Sequence, residues 1–203
     1  MDKVVTRAGR LTVGPDGTDL GPITMPDQIS TIRRHIEDAV ARGGRAVLGG
    51  VDAVQPPYVH PTVLVDVPED ADAVREETFG PTLTITRVAD VDEALTRTNA
   101  VRYGLGGAVF GRRRATEIAA RMRSGMTAIN STLTFVGMPT LPFGGVGDSG
   151  FGRIHGADGL REFARSKAVT RRRGPSMLPA MTFERTPAQV DRIVKAVKIL
   201  YGR

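Results

Sequence analysis

Between positions 26 and 42 the apolar residues Ile29, Ile32, Ile36, Ala39 and Val40 recur at helical spacing, and Gly43-Gly44 supplies a stop. Arg45-Ala46-Val47-Leu48 then reads as a short buried strand closed by Gly49-Gly50. Residues 62–67 and 82–88 are β-branched runs of the kind that fits a pleated, half-buried surface, and both predict strands. Asp90 ahead of Glu93 has the form of a helix start, because both carboxylates can satisfy amides that lack a partner in the first turn. The spacing therefore predicts a helix over 91–99, a strand over 107–110, a helix over 115–123 closed near Gly125, and a strand over 126–130. Alternation of short strands and helices predicts an α/β fold, a mostly parallel sheet flanked by helices.

The periodicity fails from Ser131 to Gly156, a stretch dense in glycine that also holds Pro139 and Pro142. Long loops of this kind inside a domain tend to carry function or to be disordered. Composition shifts again after Arg173, where Gly174-Pro175 and Pro179 read as a linker, and Thr186-Pro187 opens a C-terminal amphipathic helix. That helix sets Val190, Ile193, Val194, Val197 and Leu200 on one side, with Arg192, Lys195 and Lys198 elsewhere around it. Such a helix can dock on protein or lie on an anionic membrane surface, and docking is the favoured expectation. The expected organisation is a domain over residues 1–170 and a basic linker with its helix over 171–203.

Composition narrows the chemistry. Forty per cent hydrophobic and 25% charged residues describe a globular chain, and no apolar run is long enough to suggest a membrane-spanning helix. The N-terminus lacks the apolar core of a signal peptide, and the absence of cysteine removes disulfides, thiolate-bound zinc and any thiol nucleophile; a cytoplasmic location is expected. The net charge of +6 includes the runs Arg112-Arg113-Arg114 and Arg171-Arg172-Arg173, but aromatic residues are few and no nucleic-acid motif accompanies them. A solvated basic surface is expected, with no nucleic acid partner. His35, His60 and His155 form no metal signature.

Residues 75–81, Arg-Glu-Glu-Thr-Phe-Gly-Pro, place two carboxylates, an aromatic and a Gly-Pro turn directly before a strand. One reading is a turn at a sheet edge that holds a carboxylate outward for a sugar diol, with the aromatic against a ring. The other is a charged helix end with a core phenylalanine. Two further spellings carry less. Residues 145–150 match the glycine pattern of a dinucleotide-binding turn, but no clear strand precedes them and no helix starts inside. Gly147-Asp148-Ser149-Gly150 also spells a serine-protease nucleophile turn, in a chain whose α/β pattern does not suit that fold.

The segment Glu76-Glu77-Thr78-Phe79-Gly80-Pro81 resembles a signature of the aldehyde dehydrogenases, and other segments match that family in the same order. They include Leu20-Gly21-Pro22-Ile23, His60-Pro61-Thr62-Val63, Tyr103-Gly104-Leu105, Ala108-Val109-Phe110, Pro142-Phe143-Gly144-Gly145, Ser149-Gly150-Phe151-Gly152-Arg153 and Lys167-Ala168-Val169. The resemblance implies that Glu77 binds the ribose hydroxyls on the nicotinamide side of NAD or NADP, that Phe79 packs near the nicotinamide, and that Phe143 lines the aldehyde pocket. It implies a scaffold role for Asn130 and for the glycines of residues 144–156. Two departures concern proton handling: Gly147-Asp148 stands where many members carry a lysine, and Ile154 stands where many carry a glutamate, with His155 beside it more structural than catalytic.

In that family a cysteine thiolate attacks the aldehyde, hydride passes to the nicotinamide, and water hydrolyses the thioester. The resemblance places this cysteine, the general-base glutamate, the oxyanion asparagine and the nucleotide-binding domain upstream of Met1. No catalytic residue is therefore expected among these 203. Two expectations follow. The chain is part of a dehydrogenase, inactive alone and completed by an upstream-encoded half. Alternatively it is an assembly protein that pairs with itself or with a dehydrogenase through an exposed sheet edge and residues 167–170. The choice between NAD and NADP and the identity of the aldehyde are left open by the sequence.

Overall fold

The computed structural model describes residues 1–171, 173–174 and 183–202. Most of the linker expected around Pro175 and Pro179, and Arg172 of the second arginine run, lie outside these described residues. The chain opens on α1 (Asp2–Ala8), which buries none of its residues. Met1, Val4, Val5 and Ala8 do stand at helical spacing, but over two turns only, and Val5 and Ala8 are no more than half-buried. In α2 (Pro26–Ala41) proline occupies the first turn, where its missing amide would lack an intrahelical partner anyway. Ile29, Ile32, Ile36 and Ala39 are buried as their spacing predicts, whereas Val40 turns outward.

The stripe of α2 packs into the main core with Leu64, Val67, Val54 and Val59. The sheet has the order β1 (Arg45–Leu48), β4 (Thr62–Val65), β5 (Thr82–Ile85). Between β1 and β4 lies a small hairpin, β2 (Val54–Gln55) and β3 (Tyr58–Val59). The central strand β4 is buried along its whole length. β1 departs from the expectation of a buried strand: Arg45 and Ala46 are exposed and Val47 and Leu48 half-buried, because β1 is an edge with a single neighbour. It also runs antiparallel to β4, the connection between them holding a hairpin and no crossover helix. β4 and β5 are parallel, joined through the single-turn helix α3 (Asp72–Arg75). The expected run over 62–67 stops at Val65 because Asp66 takes the left-handed backbone, φ 55°.

α4 (Val91–Ala100) starts as the sequence indicates: Asp90 accepts from the Glu93 amide at 2.9 Å and Glu93 accepts from the Ala89 amide at 2.6 Å. It leads to β6 (Gly106–Val109), α5 (Ala115–Arg121) and β7 (Met126–Ile129), the last two strands forming a separate parallel pair. α6 (Gly156–Glu162) ends the first of two compact units, Met1–Ala164. The second unit, Arg165–Arg203, contains residues 167–170, exposed and irregular within this chain, and α7 (Pro187–Tyr201). A reciprocal cap between Thr186 and Gln189 opens α7. No helix among the described residues is long and apolar enough to cross a membrane.

One glycine fixes how closely the core approaches the turn before β5. A Cβ on Gly80 would sit 2.6 Å from Ile32 Cδ1 and 2.7 Å from its Cγ1, and Ile32 is fully buried. Gly80→Ala gains about 0.4–1 kcal/mol by restricting the unfolded chain, but overpacking of a close-packed core costs about 1–3 kcal/mol. The expected net effect is a lower urea midpoint with an unchanged slope. A Gly80→Ala chain as stable as the parent would show that Ile32 has room to move.

Candidate functional site

The turn after α3 realises parts of both readings of its sequence. Arg75 does end a charged helix, but Phe79 is not in the core. The residue is 74% exposed and its backbone is left-handed, φ 43°. The two adjacent glutamates have different surroundings. Glu76 accepts from Arg102 Nη2 at 2.5 Å and from the Tyr103 hydroxyl at 3.3 Å, and Arg102 Nη1 also donates to Asp148 at 2.9 Å. The hydrogen-bonded guanidinium holds the Glu76 carboxyl below the usual carboxylate range. Glu77 is exposed, and among the described residues no hydrogen bond or ion pair engages its carboxylate. Four lone-pair sites are thus open to a ligand.

Phe143 stands on a different part of the chain. Its amide donates to the Ile154 carbonyl at 2.7 Å and its carbonyl accepts from the Ile154 amide at 2.8 Å, making a single antiparallel bridge across the glycine-rich loop. The half-buried ring leans on His155, with centroids 6.0 Å apart and planes at 58°, and His155 is held at φ 67°. Gly147 and Gly150 take positive φ within this loop, consistent with a scaffold role. Asn130 is scaffold as well: its side-chain amide both accepts from the Gly111 amide and donates to the Gly111 carbonyl, each at 2.9 Å. The dinucleotide spelling is no phosphate cradle. Gly147–Ser149 is one 3-10 turn, and the Ser149 hydroxyl accepts from the Gly104 amide at 3.0 Å.

Three residues were singled out for cofactor and substrate, and among the described residues Glu77 and Phe79 border different cavities. Glu77 borders a cleft of about 570 Å³ together with Tyr103. Phe79 borders a smaller space of about 230 Å³ near His35 and another of about 500 Å³ near Met25. The Phe143 ring borders none of these. What the structure does show is how the turn is held. Gln28 Nε2 donates to the Thr78 carbonyl at 2.5 Å, and His35 Nδ1 lies 3.1 Å from the Thr78 hydroxyl, so α2 grips the residue between Glu77 and Phe79 twice. Sequence reasoning missed both side chains. His35 had left a signal, a polar residue on the buried stripe of α2 next to Ile36.

His35 is 1% exposed, and its Nε2 has no partner among the described residues. Burial pushes its pKa below the ordinary histidine value of 6.5; Arg34 pushes the same way, against Asp72, Glu76 and Asp38. The sign follows by linkage: as pH falls below 6.5 the unfolded chain takes up a proton at this position that the folded chain resists, so folding weakens. The carboxylates with lowered pKa values, Asp38 and Glu76 among them, lose their contribution only at lower pH. Between about pH 6.5 and 5 the urea midpoint should therefore fall in the parent chain and fall less in His35→Gln. Equal slopes in the two proteins would remove His35 from this account.

Comparison with known proteins agrees with the geometry. The sequence model of the aldehyde dehydrogenase family matches residues 1–169. The succinate-semialdehyde dehydrogenase [NADP(+)] of Deinococcus radiodurans is 42% identical over 155 residues, covering 75% of this chain and 32% of its own. A relative from Mycobacterium ulcerans is 36% identical over 192 residues, covering 91% of this chain and 37% of its own. Among solved structures, a mutant of aldehyde dehydrogenase C from Pseudomonas syringae, in complex with NAD+ and octanal, superposes with a TM-score of 0.74. It is 34% identical, with 81% of this chain and 35% of that one covered. The chain thus spans about a third of the length of these relatives. With matching motifs, matching fold and a family match over most of its residues, the chain belongs to the aldehyde dehydrogenase family.

Proposed function

We propose that this chain supplies the nicotinamide-facing side of an NAD(P)-dependent aldehyde dehydrogenase site and turns over only with the remainder of that family's fold. The observation that carries this reading is the contrast between the paired glutamates. Arg102 and Tyr103 occupy Glu76, while Glu77 has an open carboxylate at the rim of a cleft. A free carboxylate suits a vicinal diol, to which it can accept two charge-assisted hydrogen bonds. The exposed ring of Phe79, on the same turn, is an apolar surface suited to a flat heteroaromatic. These groups fit a nicotinamide riboside. When bound, the nicotinamide supplies the acceptor for the two electrons lost as an aldehyde becomes a carboxylic acid.

This chain's own residues would orient and hold. Glu77 would fix the ribose, Gln28 and His35 would keep the turn in place through Thr78, and Phe143 would shape the aldehyde end. No residue here replaces a thiolate, since the sequence contains no cysteine. The nucleophile must then come from the remainder of the fold. The substrate named for the Deinococcus relative makes succinate semialdehyde the first aldehyde to test, with octanal, bound in the Pseudomonas structure, as an apolar contrast.

A second reading, assembly with another protein or another copy, is favoured by α7. Val190, Val194 and Val197 of its apolar side are 43%, 45% and 51% exposed, and residues 167–170 are unpaired in this chain. Membrane contact through α7 is the weaker alternative.

The experiment is co-expression of this chain with the portion of the Deinococcus relative outside the match, followed by aldehyde-dependent reduction of NAD+ and NADP+. Activity is expected from the pair and from neither part alone. In an active pair, Glu77→Gln should weaken the cofactor's apparent affinity by about tenfold to a hundredfold, the value of hydrogen bonds to a charged group. Glu76→Gln should leave it nearly unchanged. Equal losses in the two variants would sink the assignment of Glu77. For α7, sedimentation of the chain with and without residues 187–203 should show a smaller oligomer on deletion, and binding to anionic liposomes should not depend on those residues.

A further inference from the structure

Among the described residues, one buried side-chain nitrogen or oxygen lacks a hydrogen-bond partner: Nε2 of His35. Native structures rarely keep such a group, because burial without a partner is costly. The stripe of α2 does not ask for a polar residue here, since Ile32, Ile36 and Ala39 around it are apolar and fully buried. The other ring nitrogen, Nδ1, lies 3.1 Å from the hydroxyl of Thr78, the residue between Glu77 and Phe79. His35 also borders the cavity of about 230 Å³, together with Thr78, Thr82, Thr84 and Phe79. Among the described residues no hydrogen bond engages the hydroxyls of Thr82 and Thr84. The cavity thus has both the room and the polar partners that ordered water needs, each molecule claiming roughly 30 Å³. In either neutral tautomer one ring nitrogen meets Thr78 and the other is left for water on the cavity side.

The charges that face the ring are already paired. Arg34 and Asp38 face it from α2, Asp72 from α3 and Glu76 from the turn. Asp72 is bound to Arg34, Asp38 to Arg42 and Glu76 to Arg102. β4 and β5 bring Leu64, Thr82 and Thr84 to the cavity and no charge. A proton on the imidazole would therefore find no carboxylate free to neutralise it, and burial opposes it as well. An imidazolium here gains most by reaching water. The polar part of its surroundings is the cavity, and hydrating the ring from there means opening the wall that Thr78 and Phe79 form.

We propose that His35 is a positioning residue that makes the hold on the turn of Glu77 and Phe79 depend on protons. Neutral, it clasps Thr78; charged, it draws water into the cavity and releases the turn. This rests on the reading of Glu77 and Phe79 as the cofactor-facing groups, and adds how that pair is regulated: cofactor is held less tightly as pH falls. The effect is local, unlike the loss of folding stability derived above, because the turn lets go while α2 and the sheet stay folded. Segments with few buried apolar contacts open most readily, and here Phe79 is exposed and the Glu77 carboxylate has no partner among the described residues. Gln28, which donates to the Thr78 carbonyl and does not titrate, sets the hold that remains.

Nuclear magnetic resonance of the whole chain, followed from about pH 7.5 to about pH 5, tests the clasp without any turnover. The ring resonances of His35 should titrate, and the amides of Glu77, Thr78 and Phe79 should shift with the same midpoint. Their order parameters should fall from about 0.85 toward about 0.6, while those of Ile36 and Leu64 stay high. In His35→Asn, whose side chain can still meet Thr78 but takes up no proton, the turn should stay ordered throughout. A turn that does not follow the His35 midpoint, or that loosens equally in His35→Asn, overturns the proposal. So does a simultaneous loss of order at Ile36 and Leu64, which would mean global unfolding. If His35→Asn misfolds, the titration of the parent decides. In the co-expressed pair, the parent's cofactor KM should rise roughly threefold to tenfold over this range relative to that of His35→Asn, with the ratio of their kcat values unchanged. A turn that loosens with His35 while the KM ratio stays flat would count against the cofactor at Glu77 and leave the clasp standing. A changing KM ratio with an unmoved turn would overturn the clasp alone, and for an inactive pair the resonance titration decides.

Discussion

The contact between α2 and the turn before β5 is the constraint on which the described site depends. Ile32 lies so close to Gly80 that no side chain fits between them, and Gln28 and His35 reach from the same helix to Thr78. These three contacts combine different physics. The first is shape, felt at the scale of a methyl group because interiors are close-packed. The second is a hydrogen bond to a backbone carbonyl, and the third a buried imidazole kept neutral by its surroundings. Together they fix a segment whose next residues, Glu77 and Phe79, are exposed and would otherwise have little reason to hold one conformation.

Much of the fold was legible because it is written in periodicity. The α2 stripe, the β-branched runs of β4 and β5, and the Asp90 and Glu93 start of α4 all follow from local rules. What was not legible has physical reasons. α1 is two turns long, and its apolar Val4, Val5 and Ala8, although helically spaced, are too few to stand out. α3 is a single turn and α6 a short helix inside a glycine-rich stretch, where breaker residues mask the signal. The outward placement of β1 depends on which strand lies beside it, and a sequence does not show its neighbours.

The candidate site divides in the same way. Glu77, Phe79 and Phe143 were found through motifs, but the motif cannot say which of two adjacent carboxylates is free. That is decided by Arg102, distant in sequence from Glu76 and in direct contact with it. The charged helix end and the exposed aromatic, read as alternatives in the sequence, coexist in the structure. Local pattern names the candidates, and long-range contacts assign their states.

Arg102 has a wider consequence. Its guanidinium joins Glu76, ahead of β5, to Asp148 in the glycine-rich loop, and its carbonyl accepts from the Asp148 amide at 3.1 Å. The same loop continues to Gly152 and the bridge that seats Phe143. The arginine is therefore a strut between two surfaces that border no common cavity. Because it stands in solvent, its grip is set by the ions around it, screened over roughly 8 Å at physiological salt. The distance between the turn before β5 and the glycine-rich loop is thus tuned by the medium as well as by the chain.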